Sequence, residues 1–351
     1  MPSKDIEKYK LQDRDILIVR SSLKREGVAY PALFVEDKEP VVFCGFLIRI
    51  RPNGDKIDPF YLLNYLRSSI AREKLVGDSD TVTITNIDQG TLLYLDIPLP
   101  SLSEQKHISA KIQELMQEIE RARTACEKQL EAAKSLPAAY LREVFESEEA
   151  KKWERKRLGE AIAFIKNGIV AEQNFDGSGF PVTRIETISN GFINSEKIGW
   201  ANLPVENFTD FRLCEGDILF SHINSVERLG NCAIYEGIPK NLYHGMNLLR
   251  IKAKENILDP YFLLFWLRSD VCKNYYITNA RRAIGQASLN QSDIKQIPIH
   301  LPALHIQHRI ASELNGKMLQ VEKLQSAIQN QQSTLDALPQ AILRKALRGE
   351  L

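Results

Sequence analysis

Residues 55–69 read DKIDPFYLLNYLRSS, and residues 256–270 read NILDPYFLLFWLRSD, the same pattern 201 positions later. The doubling decides between chemistry and architecture, because a single active site needs one copy of a motif and a repeated framework needs two. In each stretch leucines follow an Asp-Pro-aromatic triplet: Leu62, Leu63 and Leu66, matched by Leu263, Leu264 and Leu267, form an apolar face at helical spacing. Aspartate just before such a face is a strong N-cap, since its carboxylate accepts a backbone N–H of the first turn. Proline at the first helical position gives up an N–H that has no intrahelical partner anyway. Both stretches read as helix starts.

The flanks repeat as well. YKLQDRDILI at 9–18 matches FRLCEGDILF at 211–220, LIRI at 47–50 matches LLRI at 248–251, and IPLPSLSEQKHI at 97–108 matches IHLPALHIQHRI at 299–310. LPAAYLREVF at 136–145 matches LPQAILRKAL at 338–347. The offset stays at 201 or 202 throughout. A period of that length is far beyond a solenoid repeat and describes two copies of a whole domain with its tail. The register pairs Met1 with Leu203, so residues 150–202 have no counterpart in the first copy. The sequence therefore predicts a complete second copy and a first copy that is short at its N-terminus.

The front of each copy mixes short apolar runs, such as DILIV (15–19), VVFCGFLIRI (41–50) and LLYLDIPL (92–99), with turn residues and one clear helix, which predicts an α+β domain. The back of each copy is a long helix of heptad character. Ile108, Ile112, Leu115, Ile119, Ala122, Cys126, Ala133 and Leu136 follow coiled-coil spacing, broken at Gln129. Ile310, Leu314, Val321, Leu324, Ile328, Leu335 and Leu338 do the same, broken at Lys317 and Gln331. About thirty residues at ~1.5 Å each make a helix of ~50 Å, whose seam needs a partner. The other copy's helix is the nearest candidate, and the pair is expected to lie antiparallel with a globular domain at each end. Ser101 with Glu104 forms the start of a capping box, for which the second copy has Ala303 and Ile306. Leu136-Pro137 and Leu338-Pro339 are expected to stop or kink the helices, because proline clashes with the preceding turn.

Composition bounds the rest. At 351 residues, 44% hydrophobic and 26% charged, the chain has the profile of an ordinary soluble protein of two domains. A net charge of +1 neither requires nor excludes nucleic acid, since phosphate binding needs a basic face and not a basic total. Cys44, Cys126, Cys214, Cys232 and Cys272 are widely spaced and odd in number, which fits a reducing cytoplasm and gives no zinc or disulfide pattern. The charged start MPSKDIEKYK is no signal peptide, and no apolar run is long enough to span a membrane. A cytoplasmic location is expected.

Catalytic readings find little support. An Asp-Pro-aromatic triplet suggests a remnant amino-methyltransferase loop, but such an enzyme also needs a glycine-rich cofactor loop after a strand, and neither copy has one. His305 and His308 lack a carboxylate at metal-ligand spacing and read as a solvated helix face. There is no P-loop and no G-x-S-x-G. No catalytic residue, metal or cofactor is expected.

The informative feature is where the copies disagree. After the shared DIL, the first reads IVRSSLKREGVAYPALF and the second FSHINSVERLGNCAIYE; before the long helix, LVGDSDTVTITNIDQG (75–90) faces NARRAIGQASLNQSDIK (279–295). The changed segments are rich in Arg, Asn, Gln, Ser and Thr, the side chains that reach base edges and phosphates. A duplicated frame with two divergent polar loops suits a module that reads two different targets. A coiled-coil scaffold without a nucleic-acid role is the rival, and it would let the copies diverge evenly over their surfaces.

The duplicated frame, IPLP with LSEQKHI leading into a long helix, LPAAYLREVF at its end and a tryptophan-led WERKRLGE (153–160) together resemble the specificity subunits of type I restriction-modification systems, over the whole chain. The chain departs from that pattern in its short first domain, in Ala303 and Ile306 at the cap, and in Gly316 inside the second helix, where glycine costs ~1 kcal/mol relative to alanine. The resemblance implies a non-catalytic subunit whose two target-recognition domains each read half of a bipartite site in double-stranded DNA. The paired helices would set the spacing and dock methyltransferase subunits, to which restriction subunits add. The implied segments are 1–101 for the first target-recognition domain, 102–150 for the central helix and connector, 153–303 for the second target-recognition domain, and 304–351 for the C-terminal helix and tail. Candidate DNA contacts in the second domain are Lys166, Asn167, Arg184, His222, Asn224, Ser225, Arg228, Arg281, Arg282, Gln286 and Ser288. Arg281 and Arg282 suit phosphates, and Asn224 and Gln286 suit adenine. In the first domain the candidates are Arg20, Ser22, Lys24, Arg25, Thr83 and Thr85.

Overall fold

The computed structural model describes residues 7–36, 39–77, 85–203 and 209–351. The chain forms two compact units, one of Met1–Leu130 with Ser326–Leu351 and one of Glu131–Gln325. In the first unit, strands β1 (Ile16–Val19), β3 (Pro31–Leu33) and β4 (Leu47–Ile50) form an antiparallel sheet in the order β3-β1-β4. Strand β2 (Ser21–Ser22) pairs separately with β5 (Thr85–Asn86). Helices α1 (Pro59–Arg67) and α2 (Ser69–Val76) pack on the sheet, the short α3 (Gln89–Leu93) follows β5, and the long α4 (Leu102–Phe145) begins in this unit. Ile16, Ile18 and Ile48 meet Leu62, Leu63 and Leu66 in its core.

The second unit repeats this plan and adds to it. It opens with β6 (Glu154–Arg157), the single turn α5 (Leu158–Ala161) and β7 (Ile162–Asn167), followed by the hairpin-like pair β8 (Phe180–Val182) and β9 (Gly199–Ala201). Strands β10 (Ile218–Phe220), β12 (Cys232–Ile234) and β13 (Leu249–Ala253) join β7 in the order β12-β10-β13-β7. Strand β11 (Ile223–Asn224) lies in a further sheet with β14 (Arg281–Ala283) and β15 (Gln286–Ser288). Helices α6 (Pro260–Arg268), α7 (Asp270–Asn279) and α8 (Gln291–Lys295), strand β16 (Pro298–Leu301) paired with β6, and the long α9 (Leu304–Leu347) complete the order.

The shared residues explain the shared plan. Asp15 and Asp217, the aspartates of the two DIL motifs, are buried at the head of the central strand, and each accepts the backbone N–H three residues back, from Gln12 at 2.8 Å and from Cys214 at 2.7 Å. Burial works to raise the Asp15 carboxyl, but the Arg51 hydrogen bonds at 2.9 and 2.8 Å, the Gln12 N–H and the charges of Arg51 and Arg49 together hold the group below the usual carboxylate range. Asp217 has Arg250 at 2.6 Å and Lys252 at 3.8 Å.

The Asp-Pro-aromatic triplets cap helices as expected. Asp58 accepts from the Tyr61 N–H at 2.9 Å, Asp259 from the Phe262 N–H at 2.7 Å, and each proline is the first helical residue. The triplets are also tied to the long helices by a pair of glutamines that sequence periodicity gave no reason to single out. Gln105 accepts the Asp58 N–H at 2.8 Å and donates to Lys56 and Pro100 carbonyls at 3.2 and 2.8 Å. Gln307 accepts the Asp259 N–H at 3.0 Å and donates to Ile257 and Pro302 at 3.0 and 2.9 Å. Both glutamines are only 1% exposed. Ser101 accepts the Glu104 N–H at 3.3 Å, while at the other helix start the Ala303 carbonyl alone takes the Ile306 and Gln307 N–H groups.

Three expectations are corrected. First, neither Pro137 nor Pro339 stops its helix: α4 and α9 each run unbroken for 44 residues. Proline deprives the carbonyl four residues back of its donor, and for Pro137 that carbonyl, Ala133, receives the Gln325 side-chain amide at 3.3 Å. Second, the helix seam is half shifted. Ile112, Ile119, Cys126 and Ala133, and Leu314, Val321, Ile328 and Leu335, are buried at every seventh position, but Leu324 and Leu338 are 44% and 36% exposed. Met318, Gln325, Gln332 and Pro339, one residue later, are the half-buried partners instead. Polar residues serve there because their stems cover apolar surface while their ends find partners, as Arg123 finds Asp336 at 2.9 Å. Third, LLYLDIPL (92–99) is no strand; it is the end of α3 followed by irregular chain. Its counterpart β16 is a strand because β6 pairs with it.

The helices pair in opposite directions within each unit. In the second unit Lys317 meets Glu143 at 3.3 Å while Gln325 meets Ala133; in the first, Arg123 meets Asp336 while Ile112 packs against Leu343 and Ala346.

Candidate nucleic-acid interface

The two polar segments in which the copies diverge are brought together by pairing. In the second unit the segment after DIL becomes β11 and the segment before the long helix becomes the β14–β15 hairpin, with Ile223 opposite Ser288, Asn224 opposite Ala287, and Arg282 also opposite Ala287. In the first unit Ser21 and Ser22 pair with Asn86 and Thr85 in the same way. The hairpin closes through Ile284 and Gly285, and Gly285 adopts φ +74°, a conformation that favours glycine. Arg281, Arg282 and Gln286 are all exposed on it. Ile284 at the tip is fully exposed, an apolar side chain that sequence reading passed over; its signal was an isoleucine before glycine in an otherwise polar run.

Asn167, His222, Arg281 and Ser288 line one cleft of 260 Å³ with Asn290 and Gln291, so four sequence-level candidates from three distant segments converge. His222 is half-buried, its Nδ1 has no partner, and burial lowers its pKa. Lys166 is the neighbour of Asn167 on β7, with its ammonium 5.0 Å from the Phe164 ring centre.

Other candidates are occupied elsewhere. The Asn224 amide accepts from the Ser225 N–H at 2.9 Å and donates to Ser221 at 3.0 Å, and the Ser225 hydroxyl bonds Glu227. These residues shape the turn that presents the exposed Arg228, whose N–H donates to the Ser225 carbonyl. Arg184 lies in a separate cleft of 270 Å³, over the Phe175 ring at 4.6 Å and 3.4 Å from Glu186. Among the first-unit candidates, Arg20 and Lys24 are exposed and Ser22 accepts the Lys24 N–H at 3.1 Å. Arg25 opens the 3-10 turn Arg25–Gly27, Thr85 lies in β5, and Thr83 falls outside the described residues.

Residues 2–129 and 150–331 match the family model described as the type I restriction modification DNA specificity domain. The chain belongs to that family. Its two matched segments carry the two paired-strand surfaces just described, one apiece. A Methanocaldococcus jannaschii protein assigned as the type I restriction enzyme MjaX specificity subunit is 41% identical over 194 residues, 55% of this chain and 45% of the relative. The type I restriction enzyme EcoKI specificity subunit of Escherichia coli is 26% identical over 98% of this chain and 76% of its own length. The chain thus spans less than half of the first relative and about three quarters of the second.

Solved structures agree on the fold. A chain of a type I R-M system, studied for complex assembly and conformational transition, superposes with a TM-score of 0.76 at 24% identity, over 97% of this chain and 83% of that one. The HsdS subunit from Thermoanaerobacter tengcongensis gives 0.66 at 23%, over 97% and 82%. Among the described residues of this specificity-family chain, no group of three or more His, Cys, Asp or Glu is arranged to hold a metal ion. Among them, too, no helix is long and apolar enough to cross a membrane.

The first specificity domain carries the equivalent cleft in wider form. Arg20, Asp88 and Gln89, beside β2 and β5, line 640 Å³ together with Lys8, Tyr9 and Arg49. In the second, Asn167 at the end of β7 lines the corresponding space of 260 Å³.

Proposed function

We propose that this chain is the DNA-recognition subunit of a type I restriction-modification complex and that the β11-β15-β14 surface of its second unit reads one half of a bipartite double-stranded site. The observation that carries this is the pairing itself: the two segments that diverge between copies form one exposed, polar, arginine-bearing ribbon, while the frame beneath them is retained. A two-stranded ribbon fits the major groove. On it Arg281 and Arg282 take phosphates, Gln286 faces base edges, and Ile284 offers an apolar contact such as a thymine methyl group accepts. Asn167, His222 and Ser288 form the adjoining wall. Asn224 and Ser225 hold the turn, so Asn224 is assigned to shaping the surface and not to reading adenine.

The target-recognition domains are 1–101 and 153–303, with 102–150 and 304–351 as the helical parts. Arg20, Ser22, Lys24, Arg25, Thr83 and Thr85 are the candidate DNA contacts of the first. The paired helices dock methyltransferase subunits, through which restriction subunits join, and the chain itself supplies recognition without catalysis or cofactor, in the cytoplasm. A plain helical scaffold is disfavoured because divergence is concentrated in strands that pair with one another.

DNA binding measured against salt tests the reading. Each phosphate contact adds ~0.9 to the slope of log affinity against log salt, so Arg281→Ala with Arg282→Ala is expected to lower that slope by about 2. Binding that ignores both salt and the double substitution would favour the scaffold.

A further inference from the structure

The second unit holds a cavity of 530 Å³, separate from the cleft assigned to DNA. Its lining comes from α4, from Met318 of α9, from α6 and α7, from residues 189–191 and from the chain between Val226 and Cys232. Two side chains that are large in the first unit are small here. Gln340 stands at the position of Ala138, and its amide accepts the Ser69 N–H at 3.0 Å and donates to the Arg67 carbonyl at 3.2 Å. Tyr30 stands at the position of Asn231, by the registers that pair Ile16 with Leu33 and Ile218 with Ile234, and its ring centre lies 5.9 Å from the Arg67 guanidinium. Alanine and asparagine at these places leave Arg268, the counterpart of Arg67, beside space that no other described residue fills.

The lining is both apolar and basic. Pro137, Leu141, Leu229 and Met318 form its apolar part with the ring of Tyr276, whose hydroxyl donates to the Leu267 carbonyl at 2.9 Å. Its charged groups are Lys134, Arg268, Lys273 and Glu227, an excess of two positive charges. Glu227 already bonds its own N–H and the Ser225 hydroxyl. Arg268 donates to the Gly191 carbonyl and, at 3.0 Å, to the Cys232 carbonyl, and no described carboxylate pairs with it. A guanidinium half-buried among neutral carbonyls is under-compensated, because taking a charge out of water is costly without a counter-charge. Lys134 and Lys273 do meet Glu131 at 2.7 Å and Asp270 at 3.3 Å, but both lysines are exposed, and such surface pairs hold them weakly.

We infer that this cavity binds a small phosphomonoester with an apolar body: the phosphate meets Arg268, Lys273 and Lys134, and the body lies against Leu141, Leu229 and Met318. The volume is that of a small-ligand site. A phosphomonoester carries about −1.5 to −2 charges at pH 7, which matches the excess, whereas a carboxylate would leave one positive charge unmatched. The fork of N–H groups on arginine also suits phosphate oxygens. This site goes beyond the DNA reading and does not rest on it.

The test titrates the full chain with naphthyl phosphate in the absence of DNA, followed by calorimetry. Saturable one-to-one binding is expected, weakened roughly tenfold or more when inorganic phosphate or naphthol replaces the probe, since each lacks one half of the match. Ala138→Gln puts the first unit's residue into the cavity, keeps a good helix former on α4 and should cost roughly tenfold in affinity. Lys273→Gln should cost less and leave a binding that responds less to salt. Absence of saturable binding, inorganic phosphate binding as tightly as naphthyl phosphate (a site for an adventitious ion only), or undiminished binding by the Ala138→Gln chain would overturn the inference.

Discussion

The two units differ in how their central sheets end. Among the described residues, β13 lies inside a four-stranded sheet in the second, and β4 forms the edge of a three-stranded one in the first. The same sequence motif therefore works in two environments, one closed and one open, and the contrast shows which features belong to the frame and which depend on residues 154–167. The capped helix, the glutamine clamp and the buried aspartate appear in both. Full desolvation appears only in the second: the side chain of Arg250 is 7% exposed beside Asp217, whereas that of Arg51 is 41% exposed beside Asp15.

The largest expected effect follows from that difference. Arg250→Ala leaves the buried Asp217 carboxylate with only Lys252 at 3.8 Å for a counter-charge and is expected to cost ~3 kcal/mol in the second unit. Arg51→Ala leaves Asp15 within reach of water and should cost about a third as much. Chemical denaturation of each variant measures both, and equal losses would mean that the exposure of Arg51 gives Asp15 no better access to water than Asp217 has.

Acid should separate the units next. His244 is buried, with its Nε2 2.9 Å from the Leu248 carbonyl, and burial pushes its pKa down from 6.5 to about 4. Between those values the unfolded chain binds the proton and the folded chain does not. Stability contributed by the neutral ring is therefore complete above pH 6.5 and falls as pH drops toward 4, by about 3 kcal/mol for this one group. Phe43 occupies the position of His244 in the first unit, after the single-residue drift of the repeat. Hydrogen exchange between pH 7 and pH 4 should show the second unit loosening while the first keeps its protection. A parallel loss in both would assign the acid sensitivity to carboxylates instead.

Smaller effects test what the copies share. Gln307→Ala and Gln105→Ala each remove three hydrogen bonds from buried and part-buried backbone groups and should cost ~2 kcal/mol, similarly in either unit. Asp259→Ala removes one cap hydrogen bond and should cost ~1 kcal/mol, read as a lowered melting temperature.

Much of this frame was legible in the sequence because it is local. Aspartate, proline and leucines at helical spacing specify a capped helix without help from the rest of the chain, and their recurrence exposed the duplication. What escaped was set by partners distant in sequence. Gln105 and Gln307 look like ordinary surface residues until the helix they sit on meets the capped turn. The seam shifted by one residue because Gln325 and Arg123 occupy it with polar ends that find the Ala133 carbonyl and Asp336. Residues 92–99 have the composition of a strand, but among the described residues no ladder partner pairs with them. For the candidate site, the residue types pointed to the right segments, but the pairing that gathers Asn167, His222, Arg281 and Ser288 and sends Arg184 elsewhere is long-range, and Ile284 fell outside a search for polar side chains.

The central claim is that the β14–β15 ribbon reads bases. Gln286 is exposed and forms no part of the core, so Gln286→Ala should leave folding and assembly intact. Sequencing of methylated sites in cells carrying the complex with this substitution tests the claim most directly. The account predicts a motif relaxed at one or two positions in one half-site and unchanged in the other. A motif identical to that of the unsubstituted complex in both halves would contradict it.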